Sequence, residues 1–343
     1  MPMAAKDNAD DKAQLKIAQI GVGYWGPNLL RNLVANKHCQ VRRVVDASPD
    51  RRSYVNGLYP SVLTSANSDD IFDDPGINAV VIATPVATHY DLAIKALNAG
   101  KHILVEKPLA RSVAEVDHIR ILANEKRLVA MVGHTFLYNA AVRYVKKLID
   151  SNELGDIRYI YSQRLNLGRI RSDVDALWNF APHDISIIQY WLGDPHPLSV
   201  CKHGIDYVQK DIDDVVFLNI SYPNKVMANI HVSWLDPQKV RLITIVGSKK
   251  MVVYDDMADN KIAIYDKGID PKAKLGSDMD YDNPNFQTFA HRSGDVLLPK
   301  IDFQEPLKVE IDHFIDCILK GVKCLTGPDH ALEVVRILSS GSQ

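Results

Sequence analysis

Three short stretches put ligand-binding or proton-handling residues at spacings that can do chemistry. In "GVGYWG", Gly21, Gly23 and Gly26 have G-x-G-x-x-G spacing. The first glycine permits a tight turn, the second lets a pyrophosphate approach the backbone, and the third lets a helix pack closely on a strand. The helix opening there offers free N–H groups and partial positive charge to that pyrophosphate. Tyr24 and Trp25 occupy the variable positions of the same loop and count with its cofactor-lining residues. Asp46 ends the second predicted strand, about 20 residues further on, where a carboxylate accepts the ribose hydroxyls of an adenosine. The same charge repels a 2′-phosphate, so NAD is expected over NADP; Arg51 and Arg52 are the neighbours that could weaken this preference.

The second stretch, "VEKPLA", sets Glu106, Lys107 and Pro108 at the end of the predicted strand "KHILVEKP". Ligands bind at that carboxyl edge of a parallel sheet. A lysine there can lower the pKa of a substrate hydroxyl or donate a proton; a surface ion pair beside a turn proline is the alternative. The third stretch, "WNFAPHDISII", places His183 after Pro182, at what reads as the first turn of an apolar helix. It is either a packed helix-start residue donating to backbone or a proton carrier. A helix N-terminus disfavours its charged form, which suits a base.

These residues need a frame. The first 135 residues alternate short apolar strands with amphipathic helices, the pattern of a parallel sheet covered on both faces. "LKIAQIG", "VRRVVDAS", "NAVVIATP", "KHILVEKP" and "LVAMVGH" are predicted strands. Thr88 with Asp91 and Ser112 with Glu115 have capping-box spacing, and Gly100 stops the helix between. After the helix "NAAVRYVKKLID" come six strand-like runs with short turns, for which consecutive antiparallel pairing is expected. A helix holding residues 178–192 interrupts them, helices at about 306–320 and 328–338 close the chain, and residues 268–295 read as a long loop. The expected division is a disordered tail at 1–14, a Rossmann domain at 15–135 and a substrate-binding and oligomerisation domain at 136–343, with the 306–338 helices able to pack back on the Rossmann domain.

Composition excludes other classes. The chain has 343 residues, 46% hydrophobic and 24% charged, with net charge −2. That balance argues against a general nucleic-acid or membrane-surface binder. No apolar run approaches the roughly 20 residues that span a bilayer. Cys39, Cys201, Cys317 and Cys324 show no CxxC spacing, so free thiols in a reducing cytoplasm are expected rather than a metal site or disulfide.

The runs "GVGYWG … ATPVATHYDLAIKALNAGKHILVEKPLA" and "TGPDHALEVVRIL" resemble the glucose–fructose oxidoreductase / inositol dehydrogenase / MocA (Gfo/Idh/MocA) family from about residue 15 to 338. The resemblance implies an α/β chain: a doubly wound Rossmann sheet, then an α/β domain with an open, mainly antiparallel sheet. That sheet commonly packs against another subunit's, so a homodimer or homotetramer is implied. It also implies nicotinamide-dependent oxidation or reduction of a secondary alcohol on a sugar, cyclitol or nucleotide-linked sugar. By motif, Lys107 and His183 match the catalytic pair, Thr84, Pro85, His89 and Glu106 line the cofactor, and Asp184 matches an acid found beside the histidine in some members. Many members carry an aspartate four residues before the histidine, where this chain has Asn179. An amide can fix the ring but lends it no charge, which again favours a neutral imidazole.

The runs "NLG…LW…APHDI" resemble a branch acting on nucleotide sugars at C3. Asn166, Arg171, Trp178 and Asn179 are the substrate-side candidates, with Tyr138 and Asn139 weaker ones; Arg164 and Arg169 lie in the same stretch. Arginines there can hold a carboxylate or diphosphate, or can be solvent-facing charge. A free-sugar or inositol dehydrogenase, an NAD-dependent glycosidase and a non-enzymatic sensor remain alternatives.

Overall fold

The computed structural model describes residues 14–272 and 288–340. The expected N-terminal tail and residues 273–287 lie outside it, apart from Gln14. The chain divides into two compact units, residues 1–133 with 307–329, and 134–306 with 330–343.

The first unit alternates strand and helix: β1 (Leu15–Ile20), α1 (Gly26–Ala35), β2 (Cys39–Val45), α2 (Pro49–Leu58), β3 (Leu63–Ser65), α3 (Asp69–Phe72), β4 (Ala79–Ile82), α4 (His89–Asn98), β5 (His102–Glu106), α5 (Val113–Lys126) and β6 (Ala130–Gly133). The strands form one parallel sheet in the order β3-β2-β1-β4-β5-β6. This is the doubly wound dinucleotide-binding order, whose chain reversal lies between β1 and β4. All four residues of β4 and of β6 are buried, which is why these strands read as continuous apolar runs. α5 has its capping box: Ser112 accepts from the Glu115 amide and Glu115 returns to the Ser112 amide. α4 does not. The Thr88 hydroxyl instead donates to the Pro85 carbonyl and accepts from the Thr84 hydroxyl, and no side chain caps that helix.

The second unit contains α6 (Ala140–Asp150), β7 (Ile157–Leu167), α7 (Ala176–Leu192), β8 (Ser199–Ile205), β9 (Val215–Ser221), β10 (Met227–Ser233), β11 (Leu235–Gly247), β12 (Met251–Asp255), β13 (Ile262–Lys272) and β14 (Thr288–Leu297). Helices α8 (Pro306–Lys320) and α9 (Pro328–Ser340) close the chain. Most of α8 belongs to the first unit, and most of α9 to the second. The sheet order is β14-β13-β12-β11-β7-β10-β9-β8.

Two expectations are corrected here. Pairing is not simply consecutive: β7 lies between β11 and β10, and it is parallel to β10. Only Trp234 separates β10 from β11. Ser233 pairs with Leu165 and Leu235 with Leu167, so the chain passes over the end of β7 instead of folding back as a hairpin. The expected loop at 268–295 is strand at both ends, because β13 and β14 pair from Ile264 with Leu297 to Lys272 with Thr288. Among the described residues, no helix is long and apolar enough to cross a membrane.

Candidate active site

The glycine turn follows β1. Gly21 has φ +94°, and a Cβ there would sit 2.5 Å from the Ala83 carbonyl oxygen. A Cβ on Gly26 would sit 2.5 Å from the Gly21 oxygen. A Cβ on Gly23 would meet no protein atom. The first and third glycines are therefore demanded by the fold. Protein packing does not require the second, and its bare backbone would let a dinucleotide pyrophosphate approach closely. Tyr24, almost fully exposed, and Trp25 flank this opening. Sequence reasoning missed Gln19, a fully buried amide whose Nε2 donates to both the Gly21 and Gly26 carbonyls at 2.8 and 2.9 Å. A polar letter inside an apolar strand was its only signal.

Asp46 follows β2 and is half-buried. Its two oxygens accept the Val22 and Ser48 amides at 2.7 and 2.9 Å. This ties the carboxylate to the glycine loop and leaves further lone pairs on each oxygen for ribose hydroxyls. The Arg52 guanidinium donates to the Asp46 and Ala47 carbonyls at 2.7 and 2.9 Å. It braces this turn and is thereby occupied, which removes one of the two arginines that could have favoured a 2′-phosphate. The residues present fit NAD.

At the ends of β4 and β5 the chain brings Thr84, Glu106 and Lys107 toward the same sheet edge. Thr84 Cγ2 lies 3.0 Å from the position of a Gly21 Cβ, and Pro85 is exposed beside it. His89, only 1% exposed, has Nε2 2.8 Å from the Thr84 oxygen and Nδ1 2.9 Å from the Pro108 oxygen. Both ring nitrogens thus meet backbone oxygens, and the ring braces the Thr84 and Pro108 turns; burial lowers its pKa. Trp25 hydrogen-bonds the Glu106 carboxylate, and Gly133 leaves that carboxylate room, since a Cβ there would lie 3.0 Å from Oε1. Burial raises the Glu106 carboxyl to about 7 against the opposing charge of Lys107. The Lys107–Pro108 peptide is cis.

His183 belongs to the second unit and is not at a helix start. α7 begins at Ala176, capped by Asp175, whose carboxylate accepts the Trp178 amide at 2.8 Å. Pro182 lies inside the helix, leaving the Trp178 carbonyl without its usual amide. His183 is therefore two turns from the N-terminus, beyond the reach of the dipole argument. Asn179 sits one turn before it on the same half-buried face. The Phe136 ring meets His183 edge-on with centroids 5.0 Å apart.

The next residue faces inward. Asp184, 1% exposed, accepts from Ser162 Oγ at 2.6 Å and Arg164 Nε at 2.5 Å. Arg164 in turn lies 4.8 Å above the Phe136 ring. A continuous line, Asp184–Arg164–Phe136–His183, thus fixes the histidine. It assigns Asp184 and Arg164 to support rather than to ligand contact. Arg241, paired with Asp256 at 3.1 Å, approaches the same ring at 5.9 Å.

Other substrate-side candidates divide. Asn166 and Trp178 are half-buried, whereas Arg169 is exposed. Arg171 forms a bidentate pair with Asp173 at 2.8 and 2.5 Å. Tyr138 is buried and packed. Asn139 caps α6 by accepting the Ala141 amide at 2.8 Å, and its amide reaches the Tyr254 hydroxyl at 3.5 Å.

A Rossmann unit with an open glycine cradle and a ribose-side carboxylate, followed by a unit with a mixed open sheet, defines a two-domain NAD-binding oxidoreductase. Comparison with known proteins specifies the family. Residues 15–134 match the description "Oxidoreductase family, NAD-binding Rossmann fold", and residues 142–253 match "GFO/IDH/MocA C-terminal domain". The chain belongs to the Gfo/Idh/MocA oxidoreductase family. It is 26% identical to scyllo-inositol 2-dehydrogenase (NAD(+)) of Bacillus subtilis, over 90% of this chain and 87% of that protein. It is 27% identical to UDP-N-acetylglucosamine 3-dehydrogenase of Acidithiobacillus ferrooxidans, over 74% and 78%. A solved structure of that enzyme shares the fold with TM-score 0.77 at 22% identity, covering 95% of this chain and 96% of the other. The match to 4-carboxy-2-hydroxymuconate-6-semialdehyde dehydrogenase of Sphingobium sp., 29% identical, spans 52% of this chain and 59% of that protein.

Proposed function

We propose that the chain is an NAD-dependent dehydrogenase or reductase acting on a secondary hydroxyl, or the matching keto group, of a sugar, foremost a nucleotide-linked sugar at C3. The observation that carries this reading is the Glu106–Lys107 edge. It joins a lysine at the carboxyl end of β5 to the glycine loop through Trp25. Gly21, Gly23, Tyr24, Trp25, Gly26, Asp46, Thr84, Pro85, Glu106 and Lys107 hold the cofactor, and His89 positions two of their turns. NAD, when bound, exchanges a hydride at the nicotinamide C4. Lys107 donates a hydrogen bond to the substrate oxygen and stabilises the negative charge that develops there as the C–H bond breaks. The neutral His183 imidazole accepts the hydroxyl proton in oxidation and returns it in reduction. Asn166, Arg171, Trp178 and Asn179 surround the sugar, with Arg169 available to an anionic substituent.

The similarity to the UDP-N-acetylglucosamine enzyme supports the nucleotide-sugar class, and that to the scyllo-inositol enzyme keeps cyclitols as the comparison class. Assembly with a second copy through the open face of the mixed sheet is part of this proposal.

The test is an NADH absorbance screen with NAD against UDP-sugars, free sugars and inositols. NADH with a keto-sugar from a UDP-sugar is expected, and Lys107→Ala and His183→Ala should each abolish turnover while NAD still binds. Turnover confined to a free inositol would reject the nucleotide-sugar class. Near-normal turnover in either variant would reject the mechanism.

A further inference from the structure

Away from that site, the first unit gathers three side chains of metal-ligand type. His313 and Cys317 stand one helical turn apart on α8, and Cys324 follows the Gly321 turn. Their ligand atoms all lie within 4.8 Å of one another. Cys317 Sγ is 3.4 Å from His313 Nε2, against about 3.6 Å for a sulfur and a nitrogen bound tetrahedrally to one zinc ion. Cys317 and Cys324 interact directly, and Thr326 lies beside Cys324.

We propose that His313, Cys317 and Cys324 form a binding site for a thiophilic divalent cation, zinc by its ligand set, which ties the loop after α8 back onto that helix. Two sulfurs and one imidazole nitrogen suit Zn²⁺, with water completing four ligands. On binding, each ligating cysteine releases its thiol proton to solvent. The loop is already joined to the sheet edge, since the Val132 amide of β6 donates to the Thr326 carbonyl at 2.9 Å. His313 Nε2 accepts the Leu325 amide at 3.0 Å. An imidazole nitrogen has a single in-plane lone pair, so a cation at Nε2 takes that amide's place. Loading must therefore move the Leu325 N–H.

The test uses the full-length chain, reduced, stripped with a chelator and titrated with Co²⁺ without NAD or substrate. One Co²⁺ per chain is expected, with a thiolate-to-cobalt charge-transfer band that Zn²⁺ displaces and a shifted Leu325 amide resonance. Cys317→Ser and Cys324→Ser should each weaken binding beyond the ~100-fold upper range seen for outer-shell losses. Alkylation of wild-type protein gives the same information without substitution: Zn²⁺ should shield Cys317 and Cys324 but not Cys201. Absence of the thiolate band, or equal alkylation with and without Zn²⁺, would overturn the proposal. A reduced chain that ignores Co²⁺ yet forms a Cys317–Cys324 disulfide with oxidised glutathione would also overturn it, in favour of a dithiol pair.

Discussion

Glu106 shows how much of a residue's chemistry comes from its surroundings. Burial lifts its carboxyl from 4.5 to about 7, while Lys107 next to it opposes the shift. An acid raised in the folded chain binds its proton more tightly there than in the unfolded chain. Its favourable contribution is therefore complete below about 4.5 and is lost as pH rises toward 7. The ceiling on that loss is about 3 kcal/mol. Glu106→Gln should remove this slope, so its melting temperature should fall less than the wild type's between pH 5 and pH 8. The same substitution tests the carboxyl in catalysis: a limb near neutral pH in the oxidation profile that disappears in Glu106→Gln belongs to Glu106. An unchanged stability slope would mean that the carboxyl is not buried in solution. Of these features, only the identity and edge position of Glu106 could be read from "VEKP". Its tie to Trp25 and the space left by Gly133 come from tertiary packing, as does the Gln19 staple.

At the scale of elements, the parallel sheet was readable because strands covered on both faces must be apolar at every position. The place of β7 was not, because a strand's neighbours across a sheet are chosen by non-local packing. Helix α7 was misread for a specific reason. Pro182 matches the N1 preference, yet Asp175 supplies a stronger start signal seven residues earlier, and the helix tolerates the proline inside. Cys317 and Cys324 read as free thiols because no CxxC spacing joins them; His313 comes beside them only through a helical i,i+4 pair and the turn at Gly321. The buried Asp184–Arg164 pair sets the rotation of α7, and its effect on His183 can be separated from stability. Asp184→Asn alone leaves a buried guanidinium without its charge partner and should cost about 3–5 kcal/mol. The double variant Arg164→Met/Asp184→Leu should recover most of that stability, as apolar replacement of a buried pair often does. It should still lower kcat, because Phe136 loses the guanidinium that seats it against His183. Full kcat in the double variant would show that the line from Asp184 to His183 does not position the ring. Denaturant melts and steady-state kinetics on the two proteins decide this.

For the whole molecule, the sheet of the second unit has two unlike faces. α7 packs on β7, β9 and β10, and the β9 residues Val216, Leu218 and Ile220 are buried while Phe217, Asn219 and Ser221 alternate outward. Phe217 stacks on His231 of β10, its direct cross-strand partner, with centroids 4.2 Å apart. Tyr159 and Tyr161 form a second stacked pair on β7. Aromatic residues grouped on one open sheet face are the composition of a contact surface rather than of scattered surface apolars. That face is where self-association is expected. Phe217→Glu places a charge on this face, one strand in from its β8 edge, without disturbing the buried side of β9. Because the position is exposed in the single chain, the substitution should change the stability of the isolated fold by no more than about 0.5 kcal/mol. A carboxylate buried without a counter-charge at such a contact is costly, so association should weaken by several kcal/mol. Sedimentation velocity should find the wild type as a dimer or tetramer and Phe217→Glu as a monomer with intact NAD binding. If the variant sediments like the wild type, the open face is not the interface, and the two aromatic pairs must have another role.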